Sequence, residues 1–148
     1  MSVKPIPDGY HTVTPYLVVE SPEKVIEFVT KAFGAQAIEQ MRDDKGITHA
    51  EVRIGDSVIM MGRTNDNTPA MPCMLYLYME NVDEVFQAAV DAGGTAVVPP
   101  MDMFYGDRSG GVSGPCGNQW WIATHIEDVP PEEMQRRSET QWRKNDQG

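Results

Sequence analysis

The chain repeats itself at an offset of 60 residues. Leu17 returns as Leu77, Glu20 as Glu80, Val25 as Val85, Ala32 as Ala92 and Gly34 as Gly94. Strand, acidic turn, helix and glycine stop occur twice in one order, which predicts two tandem βαβββ modules. A lone module would leave one sheet face uncovered beyond what a single helix hides. The expected fold is therefore α+β: two modules side by side, forming a curved mixed sheet (a cup) with the helices outside. Residues 1–10 read as an N-terminal arm and 11–128 as a single domain. Within it, module one spans 11–62, a linker 63–72 and module two 73–128, and a C-terminal helix and tail follow at 129–148.

Local patterns support this division. From His11 the run HTVTPYLVVE is rich in β-branched and aromatic residues and reads as a strand, with Pro15 marking an edge or a bulge. Ser21-Pro22-Glu23 offers an N-cap, a first-turn proline and an acidic residue at a helix start. The apolar stripe Val25, Ile26, Phe28, Val29, Ala32 and Phe33 runs to a stop at Gly34. Ile47–Ile54 alternates, with Ala50, Val52 and Ile54 on one face and His49, Glu51 and Arg53 on the other. In module two, Asn81 is the expected N-cap, and Pro99-Pro100 is expected to interrupt a strand over 95–101. Phe104–Thr124 reads as two strands around the turn Gly114-Pro115-Cys116-Gly117. Its adjacent Trp120 and Trp121 point to opposite faces of a strand. A short helix with a polar end is expected after Pro130-Pro131.

Composition narrows the function classes. The net charge is −10, which argues against binding a nucleic-acid backbone and would suit a cationic ligand. No apolar run approaches a membrane span, and MSVKPIPDGY lacks the apolar core of a secretory signal, so a cytoplasmic protein is expected. Cys73 and Cys116 have no CxxC spacing and suit a reduced compartment.

The segments YLVVESPEKVIEFVTKAFGA, THAEVRIGDSVIMMG, LYMENVDEVFQAAVDAGG and YGDRSGGVSGPCGNQWWIATHIED cover most of residues 11–128. Through them the chain resembles the glyoxalase / bleomycin-resistance / dihydroxybiphenyl-dioxygenase (vicinal oxygen chelate) superfamily, and within it the phosphonate-operon-type glyoxalase-like proteins. In metal-dependent members the resemblance implies four His, Gln or Glu ligands facing the cup, holding one divalent ion. Here those positions fall at Thr14, Met60, Met74 and Trp121. A hydroxyl, two thioethers and an indole are poor donors for such an ion, so no metal and no other cofactor is expected.

By the same register, Thr14, Tyr16, Val18, Met60, Met74, Tyr76, Tyr78, Gln119 and Trp121 line the cup, while Leu17, Val19, Leu75, Leu77 and Trp120 face the helices. An aromatic and thioether pocket with a few hydroxyls suits a flat or apolar small molecule. Tyr105 and Arg108 are further candidates for ligand contact. Arg108 is open to two roles, bidentate capture of a ligand anion or an ion pair with an acidic neighbour. His49 and Glu51, two residues apart on one strand face, form the best acid/base pair, whereas His11 and His125 read as solvated or hydrogen-bonded structural residues. The expected function is metal-free binding of a small aromatic or cationic molecule by a homodimer, the dimer being implied by the resemblance. The alternative is a metal-dependent lyase, isomerase or dioxygenase using His49 and Glu51.

Overall fold

The computed structural model describes residues 2–147, with side chains to Gln141; Gly148, the end of the expected tail, lies outside the described residues. Module one contains β1 (Tyr16–Val19), α1 (Pro22–Phe33), β2 (Gln36–Asp43), β3 (Gly46–Ile54) and β4 (Ser57–Arg63). Module two contains β5 (Met74–Tyr78), α2 (Val82–Asp91), β6 (Thr95–Asp102), β7 (Asp107–Ser113) and β8 (Gln119–His125), with a 3-10 turn at Pro115–Gly117, and α3 (Pro131–Gln147) follows. The two helices start at Pro22 and Val82, at the offset the sequence repeat predicts.

The mixed sheet comes as two four-stranded halves, β1-β4-β3-β2 and β5-β8-β7-β6. Each has one parallel pair, β1 with β4 or β5 with β8, and is otherwise antiparallel. This is the α+β fold of two tandem βαβββ modules that the repeat predicts.

Four local expectations change. The first strand starts at Tyr16 rather than His11. Pro15 has no N–H for the ladder, and its carbonyl instead accepts from Met60 N, at 2.9 Å, where the parallel pairing begins. Pro99 and Pro100 do not interrupt their strand; β6 is an edge strand, and a register shift between Val98 and Met101 takes up both prolines. The C-terminal helix is long, 17 residues. The last difference is the cap of α2. Ser21 caps α1 as expected, accepting from Lys24 N, but Asn81 sits in the left-handed region (φ 56°) and makes no side-chain cap bond. Thr124 of β8 does the work from across the sheet. Its Oγ1 accepts from Val82 N at 3.0 Å and its hydroxyl donates to Met79 O at 2.6 Å.

The inward faces of both sheets and both helices share one buried cluster. Leu17, Val19, Ala50 and Val52 enter it from module one, and Val112, Trp120 and Ile122 from module two. Phe28 and Phe33 of α1 reach across and pack on Trp120, with ring centroids 6.0 and 5.5 Å apart. Leu75 and Leu77 pack against the same cluster, on the helix side as expected. The opposite, cup-side faces therefore turn away from the shared core.

Thr124→Val should lower stability by about 1–2 kcal/mol, because it strands a helix N–H and a strand carbonyl together. Urea unfolding of the two proteins checks this, and an unchanged midpoint would show that water replaces the hydroxyl at no cost.

Candidate functional site

Strand alternation sorts the candidate residues onto two surfaces. Tyr16 pairs with Met60, Met60 with Glu51, and His49 with Gly62, so these side chains share the cup side of module one. Met74 pairs with Gln119 and Tyr76 with Trp121, which places them on the cup side of module two with Tyr78. Both surfaces are open: Tyr16 is 50% exposed, Met74 57% and Tyr78 66%.

In module one a polar chain crosses the sheet. His49 Nε2 lies 3.0 Å from Glu51 Oε2, and Tyr16 OH lies 3.2 Å from His49 Nδ1. Tyr10, from the arm, donates its hydroxyl to Glu51 Oε1. Glu51 is buried, yet hydrogen bonds from Tyr10 first and His49 second hold its carboxyl below the usual range. The predicted His49–Glu51 pair is thus a real contact. Thr14 donates to His11 O and His11 meets Asp56 O, both at the rim.

In module two the chemistry centres on Asp107, which is 2% exposed. Its Oδ2 accepts from Tyr76 OH at 2.8 Å and Tyr78 OH at 2.9 Å, and its Oδ1 lies 2.8 Å from His125 Nδ1. The other ring nitrogen of His125 lies 2.7 Å from Asp128 Oδ1. Tyr105 joins at 3.3 Å from Tyr76 OH. Burial alone would raise the Asp107 carboxyl, but the bonds from His125, Tyr76 and Tyr78 outweigh it and hold it low. The bond to Asp107, and then that to Asp128, raises His125. Burial and then its Tyr105 and Asp107 contacts push the Tyr76 phenol well up, so Tyr76 is a neutral phenol at physiological pH.

Trp121 lies flat on its sheet, its Nε1 donating to Gln119 Oε1 at 3.2 Å. Gly111 opposite makes this possible, since a Cβ there would come within 2.8 Å of the indole. Arg108 is the one candidate that the structure removes from the site. It alternates with Asp107, so it points to the other face, where it forms a bidentate pair with Asp83 at 2.9 Å and a bond to Asp102 at 3.0 Å. The second of its two sequence roles, the ion pair, is the one realised.

Sequence alone points to neither Asp107 nor Asp128 as a site residue, and it reads His125 as structural. The missed signal is period two: Trp121 and His125, Tyr76 and Tyr78, and Asp107, Ser109 and Gly111 fall on one face once the strands are placed. Nothing in the sequence shows that Tyr10 folds back over Glu51.

The family's divalent ion does not fit the residues present. The four positions that the resemblance assigns to it carry a hydroxyl, two thioethers and an indole, which are poor donors for a hard or borderline divalent ion. Among the described residues no helix is long and apolar enough to cross a membrane.

Two four-stranded sheets with open aromatic faces, on a tandem βαβββ frame, define a protein of two paired βαβββ modules. The sequence agrees: residues 10–122 match the Glyoxalase/Bleomycin resistance protein/Dioxygenase superfamily, and the chain belongs to that family. An uncharacterized protein of Mycobacterium bovis is 31% identical over 144 residues, covering 87% of this chain and 93% of the relative. An uncharacterized protein of Mycobacterium tuberculosis is equally similar, with 83% of its own length covered. Among solved structures, TioX from Micromonospora sp. ML1 superposes with a TM-score of 0.69 at 21% identity, covering 78% of this chain and 99% of TioX. A Bacillus cereus PhnB protein, described as a putative 3-demethylubiquinone-9 3-methyltransferase, gives 0.58 at 22% identity over 77% of this chain and 99% of its own. These structures share the fold.

Folding shifts His125 and Asp107 in opposite directions. The raised His125 contributes fully below its ordinary value of 6.5, and loses its contribution as pH rises through the higher folded value. The lowered Asp107 contributes above its ordinary 3.8, and loses its contribution as pH falls through the lower folded value. The thermal midpoint of the protein should therefore fall as pH rises above 6.5, and His125→Gln should flatten that fall and also shrink the acid limb, since His125 is one of the donors that hold Asp107 low. Melting curves across the range check both limbs.

Proposed function

We propose that this protein binds a small aromatic or cationic molecule on its cup faces, without a divalent metal, as a cytoplasmic homodimer. The observation that carries the reading is the open apolar surface of Tyr16, Met74, Tyr76 and Tyr78 beside two buried carboxylates, Glu51 and Asp107. Exposed aromatic and thioether side chains gathered on a concave face mark a binding surface. In the dimer, module one of one chain faces module two of its partner, so that each pair of faces closes over one ligand. The acidic balance of −10 favours cations, and the two free cysteines suit a reducing compartment.

The His49–Glu51 hydrogen bond favours a second reading, proton transfer on a bound substrate by a lyase or isomerase of the superfamily. Metal analysis of tag-free protein separates this reading's metal-dependent form from binding. Stoichiometric zinc, nickel or iron that disappears in Glu51→Gln would overturn the metal-free reading.

Light scattering should give twice the chain mass. Aromatic cations should raise the melting temperature by several degrees at saturating concentration, with benzoate-type anions silent. Trp121 emission should respond to the same compounds, and Trp121→Ala should weaken their binding. Monomeric protein, with no shift from any compound, would sink the proposal.

A further inference from the structure

The phenols on the cup side of module two are fixed in place by the chain itself. Tyr76 and Tyr78 alternate along β5, so they share a face, and both donate to Asp107 Oδ2, at 2.8 and 2.9 Å. Their ring centroids are 5.4 Å apart and their planes 68° from parallel, so the two rings form a corner. Tyr105, on the turn between β6 and β7, brings its hydroxyl to 3.3 Å from that of Tyr76. That turn is pinned in its own right. Met103 N donates to Asp107 O at 2.7 Å, and Arg137 of α3 donates to Phe104 O at 3.1 Å while it pairs with Glu127. Trp121, the cross-strand partner of Tyr76, continues the aromatic wall along the sheet.

What such a wall can hold follows from its hydrogen bonds and its charge. Asp107 is buried behind the phenols, and its oxygens are engaged by Tyr76, Tyr78 and His125. A primary ammonium brings three N–H donors and cannot reach that carboxylate, so it would give up water without gaining a strong acceptor. A cation with no N–H bears no such cost. The local charge still attracts it. Asp107 and Asp128 flank the one imidazole of His125, so a net negative charge remains even when that ring is an imidazolium. Arg108 points to the other face, tied to Asp83 and Asp102, and Arg137 is tied to Glu127 and Glu133. A phenol that donates to a carboxylate is polarised by it, which strengthens the negative face of its ring. Both rings of the corner are accessible on the sheet surface.

Resting on the binding role proposed above, we infer that the Tyr76–Tyr78 corner of module two is a site for a quaternary ammonium group. The cation sits against the two ring faces, with Tyr105 and Trp121 beside it and the charge of Asp107 behind. Attraction comes from ring faces and not from hydrogen bonds, and the bonds to Asp107 set the rings in position beforehand. The corner is one wall of a site. In the dimer proposed above, module one of the partner chain supplies the covering wall, so ligand and dimer closure act together on this face.

Titration calorimetry of the full-length protein with choline, its neutral tert-butyl analogue and ethanolamine tests this. The three share a hydroxyethyl arm and differ in the head: trimethylammonium, uncharged tert-butyl or primary ammonium. Choline should bind roughly tenfold more tightly than either of the others. Tyr78→Phe keeps the ring and should hold choline within about threefold, whereas Tyr78→Leu should weaken it roughly tenfold. Circular dichroism checks that both are folded. Tyr105→Leu, on a turn outside the core, should weaken choline several-fold, and it carries the test if Tyr78→Leu unfolds. Equal binding of the tert-butyl analogue would overturn the cation, and equal binding of ethanolamine would overturn the quaternary head. Choline binding that survives Tyr78→Leu and Tyr105→Leu but is lost in Tyr16→Leu would place the ligand on module one, overturning this site while leaving the binding role intact. No heat with choline, beside a melting shift from aromatic cations, would have the same meaning. Failure of every compound to bind, on calorimetry and on melting, would remove the binding role itself.

Discussion

The packing of Phe28 and Phe33 on Trp120 is the contact on which the arrangement depends. Each module supplies one sheet and one helix, and neither helix is broad enough to cover its own sheet and also be covered itself. α1 meets this limit by lending two aromatic rings to the other module's sheet. Gly114 lets Trp120 settle there, since a Cβ at that position would come within 2.8 Å of the indole nitrogen. With the helices held against both inward faces, the outward faces are left largely open, with Tyr10 of the arm reaching over Glu51 in module one. The open cup surfaces are a consequence of how the core is built.

That constraint explains why the repeat is stronger on the helix face, with Tyr16 and Tyr76 a cup-side exception at the same offset. Helix-side residues recur because both modules pack into one core. Cup-side residues are free to differ, and they do. Glu51 pairs with Met60 where Gly111 pairs with Trp121, so the buried carboxylate of module one has glycine as its counterpart. Module two puts its carboxylate at Asp107 instead, four residues toward the start of its strand. One frame thus carries two chemically distinct surfaces.

The limits of the sequence reading follow the same division. Leu17, Val19, Trp120 and the alternation of Ile47–Ile54 were assigned to the correct faces, because burial leaves a period-two pattern that needs no partner information. His49 and Glu51 were paired correctly, because two residues apart on a strand means side by side. Arg108 was open to two roles because a side chain's face depends on the phase of its strand, and the glycines flanking it blur that phase. The capping of Val82 by Thr124 joins residues 42 apart, and the Tyr10 contact to Glu51 spans 41. No local pattern encodes either. The three phenols about Asp107 likewise converge only once β5 is laid beside β8 and β8 beside β7.

The protonation states set what these surfaces can do. The Tyr10 and Tyr78 phenols are raised chiefly by donating to a buried carboxylate, and the Tyr76 phenol by burial first and then by Tyr105 and Asp107. They are therefore donors and ring faces, not bases. Glu51 and Asp107 are held ionised by those same phenols and by histidine, so neither is poised near neutral pH to exchange a proton. Carboxylates fixed as anions beneath neutral aromatic rings attract positive charge and exclude negative charge. The two modules do so differently. Each carboxylate has a histidine beside it, His125 at 2.8 Å from Asp107 and His49 at 3.0 Å from Glu51, but module one takes its phenol from the arm at Tyr10, whereas module two takes its phenols from β5 at Tyr76 and Tyr78.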